Sequence, residues 1–206
     1  VNKETENPIE QVILETAEVL FLDKGFALTS TTEIARKAGC NQALVHYYFR
    51  TKDRLFEIVF EKYATMLTSA LYQMPDEDVS FEENVRKKTR TLFDLMTANP
   101  KMPFLLFNEL ITNPVRQEFL KAKIGDLPRS YLEKLECDLK AEIEKGAVRP
   151  MSATDLLLTI LSLNLGLFLA GPVLAAMTGT ATLEFQKILE NRKRENITII
   201  LKSLHP

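Results

Sequence analysis

A chain of 206 residues, 46% apolar and 26% charged, can bury a core of its own without covalent staples. Its two cysteines, Cys40 and Cys137, stand far apart with no histidine at ligand spacing, which excludes a disulfide framework or a zinc site as the organising feature and suits a reducing cytoplasm. A net charge of −2 excludes global attraction to nucleic acid, yet between Thr31 and Arg54 five cations (Arg36, Lys37, Arg50, Lys52, Arg54) face two carboxylates (Glu33, Asp53), a local +3.

The opening VNKETENP is polar and lacks a basic stretch followed by an apolar one, so it is not expected to act as a secretory signal. Helical periodicity then runs nearly throughout, and the expected fold class is all-α. Ile9, Val12, Ile13, Ala17, Leu20 and Phe21 recur at three and four residues, a first helix that ends near Asp23, with Gly25 free to take the left-handed position beyond it. Ser30-Thr31-Thr32-Glu33 reads as a capping box in which Ser30 caps and Glu33 reaches back. A short helix from Thr31 to Ala38 follows, then a turn at Gly39-Cys40-Asn41, a second short helix from Gln42 to Tyr48, and a long amphipathic helix from Lys52 marked by Leu55, Val59, Tyr63, Leu67 and Leu71.

Residues 74–78 interrupt the pattern and form a soft boundary. Further helices are expected near 81–98, 101–112, 115–145, 153–177 and 181–204, with Pro128 kinking or dividing the third of them. The apolar run from Leu156 to Met177 is long enough, at about 1.5 Å per residue, to cross roughly 30 Å of hydrocarbon. It carries Asn164, Gly166, Gly171 and Pro172 and lacks basic flanks and aromatic anchors, so a buried helix at a subunit contact is expected and a membrane partner is not.

Two short helices joined by a glycine turn make a helix-turn-helix, whose second helix can enter a DNA major groove. Ile34, Ala35, Ala38, Cys40, Val45 and Phe49 serve the packing between the helices, which leaves Gln42, Ala43, Leu44, His46, Tyr47 and Tyr48 facing outward. So many aromatic and amide groups on a short helix are costly in water unless a partner covers them. Gln42 suits an adenine edge, Ala43 and Leu44 a thymine methyl, and His46 a base edge. Tyr47 and Tyr48 carry hydroxyls suited to phosphate oxygens, Lys52 opens the next helix where free N–H groups favour an anion, and Ser30, Thr31 and Thr32 form a matching donor cluster. Plain packing competes as a reading of His46, Tyr47 and Tyr48, but three adjacent side chains on one helix cannot all point into one core.

From Ile9 to about Tyr63 the chain resembles the TetR family of bacterial transcriptional regulators. The resemblance rests on Thr31-Thr32-Glu33-Ile34-Ala35-Arg36-Lys37-Ala38-Gly39, on Tyr47-Tyr48-Phe49-Arg50-Thr51-Lys52-Asp53-Arg54-Leu55-Phe56, and on the Gly25-Phe26 exit from the first helix. It implies a DNA-binding domain over residues 1–51, and over 52–206 a helical domain that binds an effector and dimerises, with residues 52–72 as the linking helix. Carried over by position, Gln42, Ala43, Leu44, His46 and Tyr47 face operator bases, and Tyr48 and Lys52 touch phosphate. Many members have tyrosine where this chain has His46, and often glycine and threonine where it has Ala43 and Leu44, so a base preference does not transfer.

In the C-terminal half, Phe93, Met96, Phe104, Leu105, Phe107, Phe119 and Phe168 form a candidate apolar pocket lining, and Asn108, Tyr131 and Asn164 are candidates to orient a ligand; each can equally be core. Leu156, Ile160, Leu163, Leu167, Ile188, Leu189, Ile197, Ile200 and Leu204 are more apolar surface than one small domain covers. The resemblance makes them a four-helix dimer interface, with Gly166, Ala170 and Gly171 allowing close approach.

The expected function is thus a homodimeric repressor that leaves a palindromic operator in double-stranded DNA when a small, largely apolar effector binds. No catalytic residue, metal or cofactor is expected: the chain has no phosphate-binding glycine loop, no histidine-paired nucleophile and no metal cluster. Its rivals are a helical small-molecule carrier or enzyme, and an architectural protein that binds DNA without sequence choice.

Overall fold

The computed structural model describes residues 8–179 and 182–205, the side chains of 182–186 excepted. Ten helices and no strand occur among them. α1 (Pro8–Lys24) stops where Gly25 adopts φ +77°, and α2 (Thr31–Lys37) starts at Ser30, whose Oγ accepts the Glu33 amide at 3.2 Å. The reciprocal half of the expected box is replaced. The Glu33 carboxylate turns to Lys24, whose ammonium holds its pKa below the usual range, and lies 3.8 Å from Lys37.

α3 (Gln42–Phe49) and α4 (Lys52–Leu71) complete the first half. α5 (Phe81–Ala98), α6 (Met102–Thr112), α9 (Ala153–Thr178) and α10 (Thr182–Leu204) lie where periodicity placed them. The expected helix over 115–145 is two, α7 (Pro114–Ile124) and α8 (Leu127–Glu144). The break falls at Gly125, at φ +52°, and Pro128 sits in the first turn of α8, where its missing N–H costs nothing.

The helices share one continuous buried cluster that runs from Ile13 in α1 to Leu204 in α10. α4 carries it across: Leu55, Phe56, Val59 and Phe60 are buried, and α4 packs on α1, α3, α5, α6 and α7. Polar ties reinforce the crossing. Arg116 of α7 is buried, donates to the Glu57 carboxylate at 3.3 Å and lies over the Phe56 ring at 5.1 Å; Lys123 pairs with Glu61, and Lys101 with Asp23 of α1.

Among the described residues α9 alone is long and apolar enough to cross a membrane. It packs on α5, α6, α8 and α10, with Leu156, Leu157, Ile160, Asn164 and Phe168 buried. This corrects half of the expected dimer surface: Leu156, Ile160, Ile197, Ile200 and Leu204 belong to the core of their own chain, because α9 and α10 each use one face on α5. Leu163, Leu167 and Leu189 are half-buried, while Ala170 and Ile188 are exposed. The uncovered apolar stripe consists instead of Leu169, Ala170, Val173, Leu174 and Met177, with Gly166 exposed beside them and Ile188 and Ile199 on α10.

Candidate nucleic-acid interface and effector cavity

The turn between α2 and α3 is built by backbone chemistry. The Ala38 amide donates to Ile34 and the Cys40 amide to Ala35, while Gly39 takes φ +68°, a conformation that glycine adopts without a Cβ penalty. Asn41 then caps α3, its Oδ1 accepting the Leu44 amide at 2.9 Å. Val45 and Phe49 face the core, which turns Gln42, Ala43, His46 and Tyr47 to the surface, Tyr47 at 66% exposure. Two expected outward residues sit deeper. Leu44 is half-buried against the core, on the same edge of α3 as Tyr48 one turn further on. Tyr48 is also half-buried, edge-on to Tyr47 with ring centroids 5.0 Å apart.

Gln42 is held before any DNA arrives. Its Nε2 donates to Thr31 Oγ1 at 3.1 Å, and its Oε1 accepts from Thr32 Oγ1 at 3.2 Å. An amide has two hydrogens and two lone pairs, so each end of Gln42 keeps one site free for a base edge. The expected donor cluster is thereby divided. Thr32 spends its only hydrogen on Gln42, whereas Ser30 and Thr31 accept hydrogen bonds and retain a hydrogen to donate.

Lys52 also has an internal duty that its position in the sequence did not reveal. Its ammonium donates to the Phe26 and Thr29 carbonyls, both at 3.0 Å, and stands 4.0 Å from the Phe26 ring centroid. One of its three hydrogens is left for a phosphate. Between α3 and α4, Arg50 adopts φ 64° and ψ −55°, and the Thr51 amide donates to the Phe49 carbonyl at 2.7 Å: a three-residue γ-turn, strained for a residue with a Cβ. Thr31, Gln42, His46, Arg50, Thr51 and Lys52 rim a concavity of about 280 Å³ on this face. Arg36, Arg50 and Arg54 are exposed around it.

The second site lies away from most of the expected pocket residues. A cavity of about 210 Å³ opens between the end of α4, α5, α8 and α9, lined among others by Met74, Phe81, Lys88, Tyr131, Leu156 and Ile160. Tyr131 alone of the ten expected residues lines it; burial pushes its phenol up to about 12. Phe93, Met96 and Phe168 are core, with Phe93 edge-on to Phe168. Phe107 and Phe119 are half-buried against that core, and Phe104 and Asn108 point to solvent, Phe104 at 64% exposure, because α6 buries Met102, Leu105 and Leu106 instead.

Asn164 is fully buried but spoken for: its Nδ2 donates to the Thr89 carbonyl at 2.9 Å and its Oδ1 accepts from Asn196 at 3.1 Å, a lock between α5, α9 and α10. Lys88, which the sequence reading passed over, was marked by one signal. It shares the spacing of Phe81, Val85, Leu92 and Leu95, a charge on an apolar stripe.

Comparison with known proteins places these features. Residues 13–59 match the family described as "Bacterial regulatory proteins, tetR family". The probable HTH-type transcriptional regulator YttP of Bacillus subtilis is 34% identical over 139 residues, which cover 58% of this chain and 66% of that protein, just under two thirds of its length. The nucleoid occlusion factor SlmA of Vibrio cholerae is 23% identical over 143 residues, covering 69% of this chain and 70% of SlmA. A crystal structure of a tetR-family regulatory protein from Rhodococcus RHA1 shares the fold over 97% of this chain and 98% of its own, with TM-score 0.70 at 18% identity.

Proposed function

We propose that this chain, whose residues 13–59 match the tetR family of bacterial regulatory proteins, is a TetR-family, sequence-specific DNA-binding transcriptional regulator, acting in the cytoplasm as a homodimeric repressor that a small molecule releases from its operator. The observation that carries this reading is α3, with Gln42, Ala43, His46 and Tyr47 on the surface and Gln42 already oriented by the two threonines. In the complex these four residues meet base edges, and Leu44 contributes from the edge of the helix. Ser30, Thr31, Tyr48 and the remaining Lys52 hydrogen meet phosphates.

Residues 1–51 serve as the DNA-binding domain and 52–206 as the effector and dimerisation domain. The stripe of Leu169, Ala170, Val173 and Met177 on α9, with Ile188 and Ile199 of α10, is the surface a second copy covers. Two-fold symmetry then sets the reading helices about 34 to 36 Å apart, or a multiple of it, on a palindromic site. The effector occupies the cavity beside the end of α4 and biases an arrangement in which that spacing is wrong, a coupling of about 1 to 3 kcal/mol being enough.

Selection of bound fragments from a random DNA pool at physiological salt tests the reading. Enrichment of a two-fold symmetric motif is expected. Salt-dependent retention with no enrichment would replace the regulator by a nonspecific DNA binder.

A further inference from the structure

The half-buried ammonium of Lys88 stands at the cavity wall with no carboxylate partner among the described residues. It donates to the carbonyls of Ala70 at 3.1 Å, Leu71 at 3.0 Å and Gln73 at 2.8 Å, and lies 4.6 Å from the Tyr131 ring centroid. The cavity's carboxylates are committed elsewhere, Asp76 to Lys87 and Asp138 to Lys134, each at 3.0 Å. The negative end of α4 supplies only about half an elementary charge, so the Lys88 cation is incompletely neutralised. Burial draws its pKa down to about 8, which leaves it charged at neutral pH.

We propose that this cavity binds a small amphipathic anion, its charged head on the Lys88 ammonium and its apolar body against Tyr131, Leu156 and Ile160. The bonds from the ammonium to the carbonyls are already charge-assisted, and an anionic oxygen adds the attraction between two full charges that a neutral carbonyl lacks. It therefore displaces one of the three carbonyls, and the one at Gln73 lies past the helix end, where solvent can take over its lone pairs. The apolar walls supply the rest of the affinity and select against small inorganic anions.

On the effector reading of the cavity, on which this proposal rests, the same ammonium is the transmission. Lys88 clamps the last turn of α4, whose first residue is Lys52 beside the reading helix. At about 1.5 Å per residue the helix is a rod of roughly 30 Å. Loosening its far end changes how α4 rests on α5, and so the aim of α3.

The test uses a matched pair of fluorescent probes, 8-anilinonaphthalene-1-sulfonate and N-phenyl-1-naphthylamine, which share an aromatic body and differ by the sulfonate. The full chain is expected to bind the sulfonate about tenfold more tightly. Lys88→Met removes the preference while affinity for the neutral probe stays within about twofold, Lys88→Arg retains it, and Thr91→Trp at the exposed mouth of the cavity weakens both probes. Equal binding of the two probes by the wild-type protein overturns the proposal, as does a preference that survives Lys88→Met or binding that ignores Thr91→Trp. Should Lys88→Met fail to fold, the wild-type, Lys88→Arg and Thr91→Trp titrations decide by themselves. No DNA enters these titrations. A protein that prefers the sulfonate but selects no DNA sequence refutes the regulator reading alone, and one that selects a palindrome without the preference refutes the anion site alone.

Discussion

Replacing Thr31 and Thr32 by valine together removes two hydroxyls while keeping the β-branched shape, and so frees Gln42 without changing what it is. Holding a glutamine still costs up to about 1.5 to 2 kcal/mol of rotamer entropy, and a bidentate contact to adenine is worth about 1 to 3 kcal/mol of discrimination. In the native chain part of that ordering is already met on folding by two hydrogen bonds, each worth about 0.5 kcal/mol at an exposed position. The double variant is therefore expected to lose about 1 kcal/mol, about fivefold, on the preferred operator. This loss comes on top of the Thr31 phosphate contact, which all sequences share, and should vanish on an operator changed at the one base pair that Gln42→Ala desensitises. Fluorescence anisotropy with the selected site and its single-position variants, at three salt concentrations, reads both quantities. If the threonines act on phosphate alone, the whole loss will be uniform across sequences and the salt response will change for all of them alike. Uniform loss, or no loss at the Gln42-dependent position, would refute the clamp.

Lys52→Met should destabilise the protein by about 2 kcal/mol, lowering the melting temperature by several degrees, because two backbone carbonyls and the Phe26 ring lose their cation; an unchanged melt would return Lys52 to a purely DNA-contacting role. Asn164→Leu takes a partner from the Thr89 carbonyl and from one hydrogen of the Asn196 amide, which keeps its bond to the Leu163 carbonyl, and is expected to cost about 1 to 3 kcal/mol in urea denaturation, with binding of the neutral naphthylamine by the folded fraction unaltered. A loss of that binding at full folding would restore Asn164 as a ligand residue. Leu169→Glu with Val173→Glu puts two charges on the exposed α9 stripe and should shift the protein from dimer to monomer in sedimentation, weakening self-association by at least about a hundredfold. A dimer that persists places the interface on another face.

Whatever a local pattern encodes was legible before any packing was known. The helices of the first half, the positive-φ glycines at 25 and 39, the Ser30 cap and the outward face of α3 all follow from spacings of a few residues, where covalent geometry and one helical turn decide the outcome. The break at Gly125 was one step removed from the Pro128 signal, since proline is tolerated in the first turn of a helix and glycine is what ends one. Asn41 as a cap was legible in the same way, a polar residue directly before a helical run.

Which apolar residue lines a cavity, which enters the core and which stays uncovered was left to tertiary packing. Phe104 and Phe93 are the same residue type on neighbouring helices, yet one is solvent-exposed and the other nearly fully buried, because burial depends on how α5 and α6 turn toward α4 and α9. Leu156 and Leu169 divide core from open surface along a single helix for the same reason. The partners of charged side chains were still less accessible, since Lys52, Lys88 and Arg116 find theirs across 23 to 26, 15 to 18 and 59 residues of chain. An apolar stripe states that a face is hidden; only the fold decides what hides it, and where a cation on that stripe finds its acceptors.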